Sequence, residues 1–170
     1  AQVRALRAFA YFYMVRIWGD VPLVTYSYDN GTFPSMPRTD AQTVLSYAKA
    51  ELLTAIKDLP YQYGTQTNLY YGSYGAQWQG KLFNKLSAYS VLAHICAWQG
   101  NYAEAETYSA FIIDHASEIN AKYTSIADLT SETGLFYSNA SVKGSRILGF
   151  NFAHNDNEAT QSGHLEQLTL

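Results

Sequence analysis

Hydrophobic residues recur every three or four positions near the start of the chain, as one buried face of an α-helix requires. The predicted buried face consists of Val3, Leu6, Ala10, Tyr13, Met14 and Ile17. The pattern breaks at Gly19, which favours a left-handed helix end, and at Pro22, which favours an extended backbone before it. We therefore expect a helix that ends at about Trp18 and an extended segment after it.

A second helical pattern runs from about Asp40 to Leu59. Its apolar positions are Val44, Leu45, Ala48, Leu52, Ala55, Ile56 and Leu59. Thr39 and Gln42 have the spacing of a capping box, and Pro60 follows the far end. The charged residues between the apolar positions are predicted to lie in solvent: Lys49, Glu51, Lys57 and Asp58.

A third helical pattern covers residues 82–99 and is followed by a glycine turn. Its apolar stripe is Leu82, Leu86, Tyr89, Ala93 and Cys96. Gly100 interrupts the pattern and a new helix begins near Asn101, which predicts a helical hairpin. Large, small and turn residues follow the spacing of a tetratricopeptide repeat at Tyr89, Leu92, Ala93, Gly100, Tyr102 and Ala105. The predicted fold is mostly α, with tetratricopeptide-like hairpins, long irregular loops and at most one short strand pair, for which residues 146–152 are the candidate.

Length and composition favour a single helical-repeat domain over residues 1–170, with 126–170 as a loop-rich extension. The chain has 170 residues, of which 48% are hydrophobic, so it can bury a substantial core. It starts inside a helical pattern, without methionine, signal peptide or lipid-attachment cysteine, and we expect it to be part of a longer protein. No apolar run approaches the roughly 20 residues of a membrane span, so any membrane anchor is expected outside this segment.

Charge and motif content argue against nucleic-acid binding and catalysis. The net charge is −3 and no lysine or arginine cluster occurs, so nucleic acid is not a predicted partner. The single cysteine, Cys96, is predicted to be a small buried hydrophobe. Five possible metal ligands occur close together, but their spacing and polar neighbours favour a solvated loop: His154, Asp156, Glu158, His164 and Glu166. No phosphate loop, nucleophile elbow or dinucleotide motif is present, so we predict no cofactor, no metal and no enzymatic activity.

Aromatic residues alternate with glycines and amides between Tyr61 and Gly80. A sugar ring has an apolar face that stacks on aromatic rings and hydroxyls that pair with amides, so this composition suits a glycan. The predicted platform is Tyr70, Tyr71 and Tyr74, with Asn68 and Trp78 beside it. The alternative is that these tyrosines cover the helical core and that Trp78 staples the entrance of the third helix.

A second irregular segment, residues 26–34, follows the extended exit. Asp29-Asn30-Gly31 has the composition of a turn. Tyr28 and Asp29 are nevertheless predicted to edge the binding surface.

Three sequence blocks, in this order, resemble one family. They are Arg4-Ala5-Leu6-Arg7-Ala8-Phe9-Ala10-Tyr11-Phe12, then Val15-Arg16-Ile17-Trp18-Gly19-Asp20-Val21-Pro22-Leu23-Val24, and Pro37-Arg38-Thr39 opening a helix. Over roughly residues 1–125 the chain resembles the SusD/RagB family of bacterial outer-membrane nutrient-binding lipoproteins. Downstream of the three blocks, Lys81 to Ala97, the turn at residues 99–105 and Phe111-Ile112-Ile113 resemble that family's repeat-bearing core. The resemblance implies non-enzymatic binding of oligo- or polysaccharide at the cell surface and delivery to a SusC-like TonB-dependent transporter. The family binds its ligands through aromatic residues on variable loops, so the resemblance assigns no contact residue in this chain.

Two other functions stay open at this point. A tetratricopeptide-type adaptor would bind a protein on its concave helical face. A helical glycan-cleaving enzyme would need a paired acid and base, and no credible pair stands in the sequence.

Overall fold

The computed structural model describes residues 1–28, 34–63, 82–119, 121, 126–127 and 147–148. Within them lie four α-helices and one short 3-10 helix: α1 Gln2–Trp18, α2 Ala41–Ile56, α3 Lys85–Trp98, α4 Tyr102–Asp114 and the 3-10 turn Ala116–Ile119. The β-structure of the described residues is one isolated antiparallel bridge, Val21 with Thr39. The prediction of a mostly α fold is confirmed.

The end of α1 follows from the glycine that the sequence places there. Gly19 has φ 68°, and its N–H donates to the carbonyl of Val15 at 2.9 Å. The extended exit is then held twice: Val21 exchanges two backbone hydrogen bonds with Thr39, and the Tyr11 hydroxyl both donates to and accepts from the backbone of Val24. The predicted helix end at Trp18 is confirmed.

The predicted buried face of α1 is wrong. Its members Val3, Leu6, Ala10, Tyr13 and Ile17 are exposed, and Met14 is half-buried. The buried residues lie on the nearly opposite face, against α2: Ala5, Ala8, Tyr11, Phe12 and Val15. Ala5 and Ala8 are fully buried in this face, beside the larger Phe12 and Val15.

The apolar stripe of α2 is confirmed, because every predicted position from Val44 to Leu59 is buried. The predicted capping box is wrong. Asp40 is the N-cap and accepts from the N–H of Thr43 at 2.9 Å, and these hydrogen bonds lower the pKa of the Asp40 carboxyl. Asp20 also accepts from the N–H of Ala41, so the turn after α1 helps to start α2.

Two charges of α2 that were predicted to be solvated are paired instead. Glu51 is buried and accepts from Arg4 at 2.7 Å and from Arg7, both on α1. Lys49 pairs with Glu104 on α4, and this hydrogen bond is the main reason that the pKa of Glu104 is lowered. The charges of α2 therefore join it to α1 and to α4.

The hairpin of α3 and α4 forms as the sequence predicts, with a later start. Asn84 and Ser87 make a reciprocal capping box, so α3 begins at Lys85 rather than at Leu82. Gly100 has φ 79° and Asn101 caps α4. Helix α1 packs on α2, α3 packs on α4, and α3 lies against α2, so the two hairpins share one core.

Cys96 is fully buried on α3, as predicted, and its thiol lies 3.6 Å from a carboxylate oxygen of Glu104. Burial is the main cause that raises the pKa of the thiol.

We expect iodoacetamide at neutral pH to alkylate Cys96 at least about 100-fold more slowly in the native protein than in denaturant, as mass spectrometry of its peptide would show. Equal rates in the two conditions would contradict this packing.

Most of residues 126–170 lies outside the described residues, and so does most of the candidate strand at 146–152. Ile147 and Leu148, which are described, lie in no strand, and Leu148 packs against the shared core. Among the described helices, none is long and apolar enough to cross a membrane.

Candidate ligand-binding site

Tyr28 is the predicted binding residue that the structure describes. The other six lie outside the described residues: Asp29, Asn68, Tyr70, Tyr71, Tyr74 and Trp78. The five possible metal ligands between His154 and Glu166 lie outside as well. Among the described residues, no group of His, Cys, Asp and Glu side chains is arranged to hold a metal ion.

Tyr28 forms a pair with Tyr26, which sequence reasoning did not include among the binding residues. The two ring centres are 4.9 Å apart and tilted by 48°, and the Tyr28 hydroxyl donates to that of Tyr26 at 2.8 Å. This hydrogen bond is the main reason that the pKa of Tyr28 is raised. The spacing of Tyr26 and Tyr28 could have predicted this pair, because residues two apart in an extended segment point to the same side.

The two ends of the tyrosine-rich segment lie side by side. The carbonyl of Pro60 accepts from the N–H of Lys85 at 2.8 Å, and the hydroxyl of Tyr63 donates to the carbonyl of Phe83. Tyr63 and Phe83 are both buried. The described residues at the two ends of the segment, Tyr63 and Phe83, therefore meet at one place on the helical core.

Gln2 of α1 closes this junction. Its side-chain amide donates to the carbonyl of Phe83 at 2.6 Å and accepts from the N–H of the same residue at 3.0 Å. The same amide also donates to the Tyr63 hydroxyl. One side chain thus holds both described ends of the tyrosine-rich segment against the first helix, and we call Gln2, Tyr63 and Phe83 the clasp.

Tyr61 is held by a stack of rings at the C-terminal end of α4. Its ring lies parallel to that of His115, with centres 5.8 Å apart, and His115 stacks on Phe111 at 4.0 Å. The ammonium of Lys85 lies 5.0 Å from the Tyr61 ring centre. Burial is the main cause that raises the pKa of Tyr61.

Tyr61 and Tyr63 therefore pack against the helices, which is the alternative that the sequence left open for tyrosines of this segment. Their side chains anchor the first residues of the tyrosine-rich segment to the helical core. The prediction of a glycan platform then concerns the aromatic residues further along the loop, at 70, 71, 74 and 78.

A groove of about 270 Å³ between α3 and α4 differs in character from the predicted platform. Small side chains line most of it, together with His94 and Ile112: Ser90, Ala93, Ala97, Ala105 and Ser109. It holds no Tyr or Trp ring on which a sugar could stack, so its lining does not suit the predicted mode of binding.

Comparison with known proteins gives matches among solved structures. A crystal structure of a SusD superfamily protein from Bacteroides thetaiotaomicron VPI-5482 is 94% identical over 99% of this chain, with a TM-score of 0.82. A laminarin-binding SusD-like protein is 25% identical over 74% of the chain, with a TM-score of 0.53. A surface glycan-binding protein A from Bacteroides uniformis is 25% identical over 66%, with a TM-score of 0.52. No protein-family model and no curated protein matches.

This chain spans about a third of the length of the protein that it matches at 94% identity, and 23% of each of the other two. The match at high identity covers both hairpins, the clasp and the extended exit after α1. With this identity along nearly its whole length, the chain belongs to the SusD superfamily.

Proposed function

We propose that the protein carrying this chain binds oligo- or polysaccharide at the bacterial cell surface without cleaving it. The observation that carries the proposal is the similarity to a laminarin-binding SusD-like protein and to a surface glycan-binding protein, both at 25% identity. The chemistry of residues 61–80 agrees with it, because aromatic rings and amides complement the two kinds of surface on a sugar.

The clasp supports the proposal in physical terms. A loop whose ends are tied to the helical core loses less conformational entropy when a ligand binds than a loop with free ends. Gln2, Tyr63 and the stack under Tyr61 make those ties. The proposed contacts are stacking on Tyr70, Tyr71, Tyr74 and Trp78, hydrogen bonds from Asn68, and a second edge at Tyr28 and Asp29.

The destination of the ligand is part of the proposal. By family resemblance, the captured glycan is passed to a SusC-like TonB-dependent transporter in the outer membrane. The protein itself is exposed on the outer surface of that membrane. Attachment to that membrane is through an anchor outside residues 1–170. Capture by stacking and hydrogen bonding requires no cofactor, no metal and no acid and base pair.

The test is calorimetric titration of the complete protein with laminarin, starch, mannan, xylan, pectin and host-type glycans. We expect saturable binding of at least one glycan, and a Tyr70/Tyr71/Tyr74→Ala variant should lose roughly 10-fold to 1000-fold in affinity. This range assumes that each ring contributes about 0.5–1.5 kcal/mol to stacking.

The matched control is Tyr102→Ala, which removes an exposed tyrosine from α4 and should leave affinity unchanged. Unchanged affinity in the triple variant would place the site elsewhere, and an absence of binding to every glycan would favour the protein-adaptor function. New reducing ends after incubation with the bound polysaccharide would contradict the non-enzymatic part of the proposal.

A further inference from the structure

A pair of tyrosines on the extended exit after α1 presents one open ring to solvent. Tyr26 is 62% exposed, whereas Tyr28 is half-buried. The two ring centres are 4.9 Å apart. A sugar between the rings would need a van der Waals contact of about 3.5–4 Å on each side, and the gap is too narrow for that. The surface that this pair offers to a ligand is therefore mainly the outer face of Tyr26.

The ring of Tyr26 is held in place by its neighbours. The hydroxyl of Tyr28 donates to the hydroxyl of Tyr26 at 2.8 Å and lies 3.6 Å from the sulfur of Met36. Two residues before Tyr26, the Tyr11 hydroxyl donates to the carbonyl of Val24 at 2.9 Å and accepts from its N–H at 2.7 Å. A ring fixed in this way loses little conformational entropy when a ligand stacks on it.

Two other exposed rings already carry a cation. The guanidinium of Arg16 lies 5.4 Å from the ring centre of Tyr13 and 5.4 Å from that of Trp98. A sugar would have to displace this cation before it could stack on either ring. Tyr26 packs on Tyr28 on one side, and its exposure leaves the other side open.

The exit and the tyrosine-rich segment are anchored on the same helix. Val24 lies beside Tyr11, about two turns before the end of α1 at Trp18, so the exit runs back along the helix in the direction of Gln2. Gln2 belongs to the clasp, and it lies nine residues before Tyr11, or about 14 Å at 1.5 Å per residue. This spacing lets one oligosaccharide reach both segments, and two contacts on one polymer reinforce each other through effective concentration.

We infer, on the basis of the proposed function, that Tyr26 supplies the stacking surface for one pyranose ring at the second edge of the binding site. Tyr28 is a positioning residue behind it, because its hydroxyl holds that of Tyr26. The sugar contact that the sequence predicted for Tyr28 is thus made by its neighbour two positions earlier.

Calorimetric titration of the complete protein with laminarin, starch, mannan, xylan, pectin and host-type glycans tests the role of Tyr26. For a glycan that binds, Tyr26→Ala should weaken the affinity by about 4-fold to 10-fold, and Tyr26→Phe, which keeps the ring, by at most about 2-fold. The matched control is Tyr102→Ala, which removes a tyrosine that is 72% exposed on α4 and should leave the affinity unchanged. Should Tyr26→Ala fail to fold, Tyr26→Leu fills similar space without a flat ring and should show the same loss.

The positioning role of Tyr28 has its own readout. Tyr28→Phe should weaken the affinity by about 2-fold, and combining it with Tyr26→Phe should add nothing, because both substitutions remove the same hydrogen bond. Additive losses in the double variant would contradict this role.

Three results would overturn the stacking surface. Unchanged affinity in Tyr26→Ala, for a glycan that the parent protein binds, would overturn it and leave the proposed function standing. Equal losses in Tyr26→Ala and Tyr26→Phe would overturn it because the ring would not be the group that binds. An absence of binding to every glycan would overturn the proposed function and this subsite together.

Discussion

Replacing Leu92 by alanine is expected to lower the free energy of unfolding by about 2–5 kcal/mol. Leu92 is fully buried in α3, within the core that α1, α2 and α3 share. Truncation removes three carbon atoms from a close-packed interior and leaves a cavity between the hairpins that the neighbouring helices fill only in part. Equilibrium denaturation of the complete protein, followed by circular dichroism, measures the loss.

The control for this substitution is Leu53→Ala on α2. Leu53 is exposed, so the same truncation leaves no cavity and should cost less than about 1 kcal/mol. A loss below about 1 kcal/mol for Leu92→Ala itself would mean that the two hairpins do not share one core. Similar m-values for the two variants would show that neither substitution changes the surface exposed on unfolding, so the difference in unfolding free energy reflects packing in the folded state.

Replacing Gln2 by alanine is expected to cost about 1–3 kcal/mol of stability and to weaken glycan binding. The substitution leaves the N–H of Phe83, which is buried, without the acceptor that Gln2 provides at 3.0 Å. It also removes the tie between α1 and the two ends of the loop. Amide hydrogen exchange at Phe83 should then be faster by about 5-fold to 150-fold, since 1.4 kcal/mol corresponds to a factor of ten.

The control for the clasp is Gln42→Ala. Gln42 makes one side-chain hydrogen bond to Gln99 on the exposed surface, and its loss should cost less than about 0.5 kcal/mol. Exchange at Phe83 reports on the clasp whether or not a glycan binds, so the clasp and the proposed function can fail separately. Unchanged exchange at Phe83 in Gln2→Ala would show that the clasp does not hold the loop ends.

The helix ends and the family could be read from the sequence, because both depend on local patterns. Gly19 and Gly100 adopt the positive φ values that glycine permits, and the helices end at them as expected. The apolar stripe of α2 is buried at every predicted position, since a helix with one apolar row has one face to cover. The sequence blocks between Arg4 and Thr39 carried the family resemblance, which the match at 94% identity confirms.

The binding residues of the tyrosine-rich loop remain predictions that the glycan titration tests. The sequence shows that residues 61–80 contain both aromatic and amide side chains. It did not show that Tyr61 and Tyr63 serve as anchors, because their partners are distant in the chain. His115 lies 54 positions beyond Tyr61, and Gln2 lies 61 positions before Tyr63.

Only the tertiary structure decided which apolar row of α1 is buried and which charged side chains of α2 form ion pairs. Periodicity reveals that a helix face is apolar, but it does not choose between two such faces, and here α2 covers the row of Ala5 and Ala8. Glu51 looks like a surface charge until Arg4 and Arg7 are placed beside it. Local sequence determines backbone conformation through nearest neighbours, whereas burial and pairing depend on which distant segments meet.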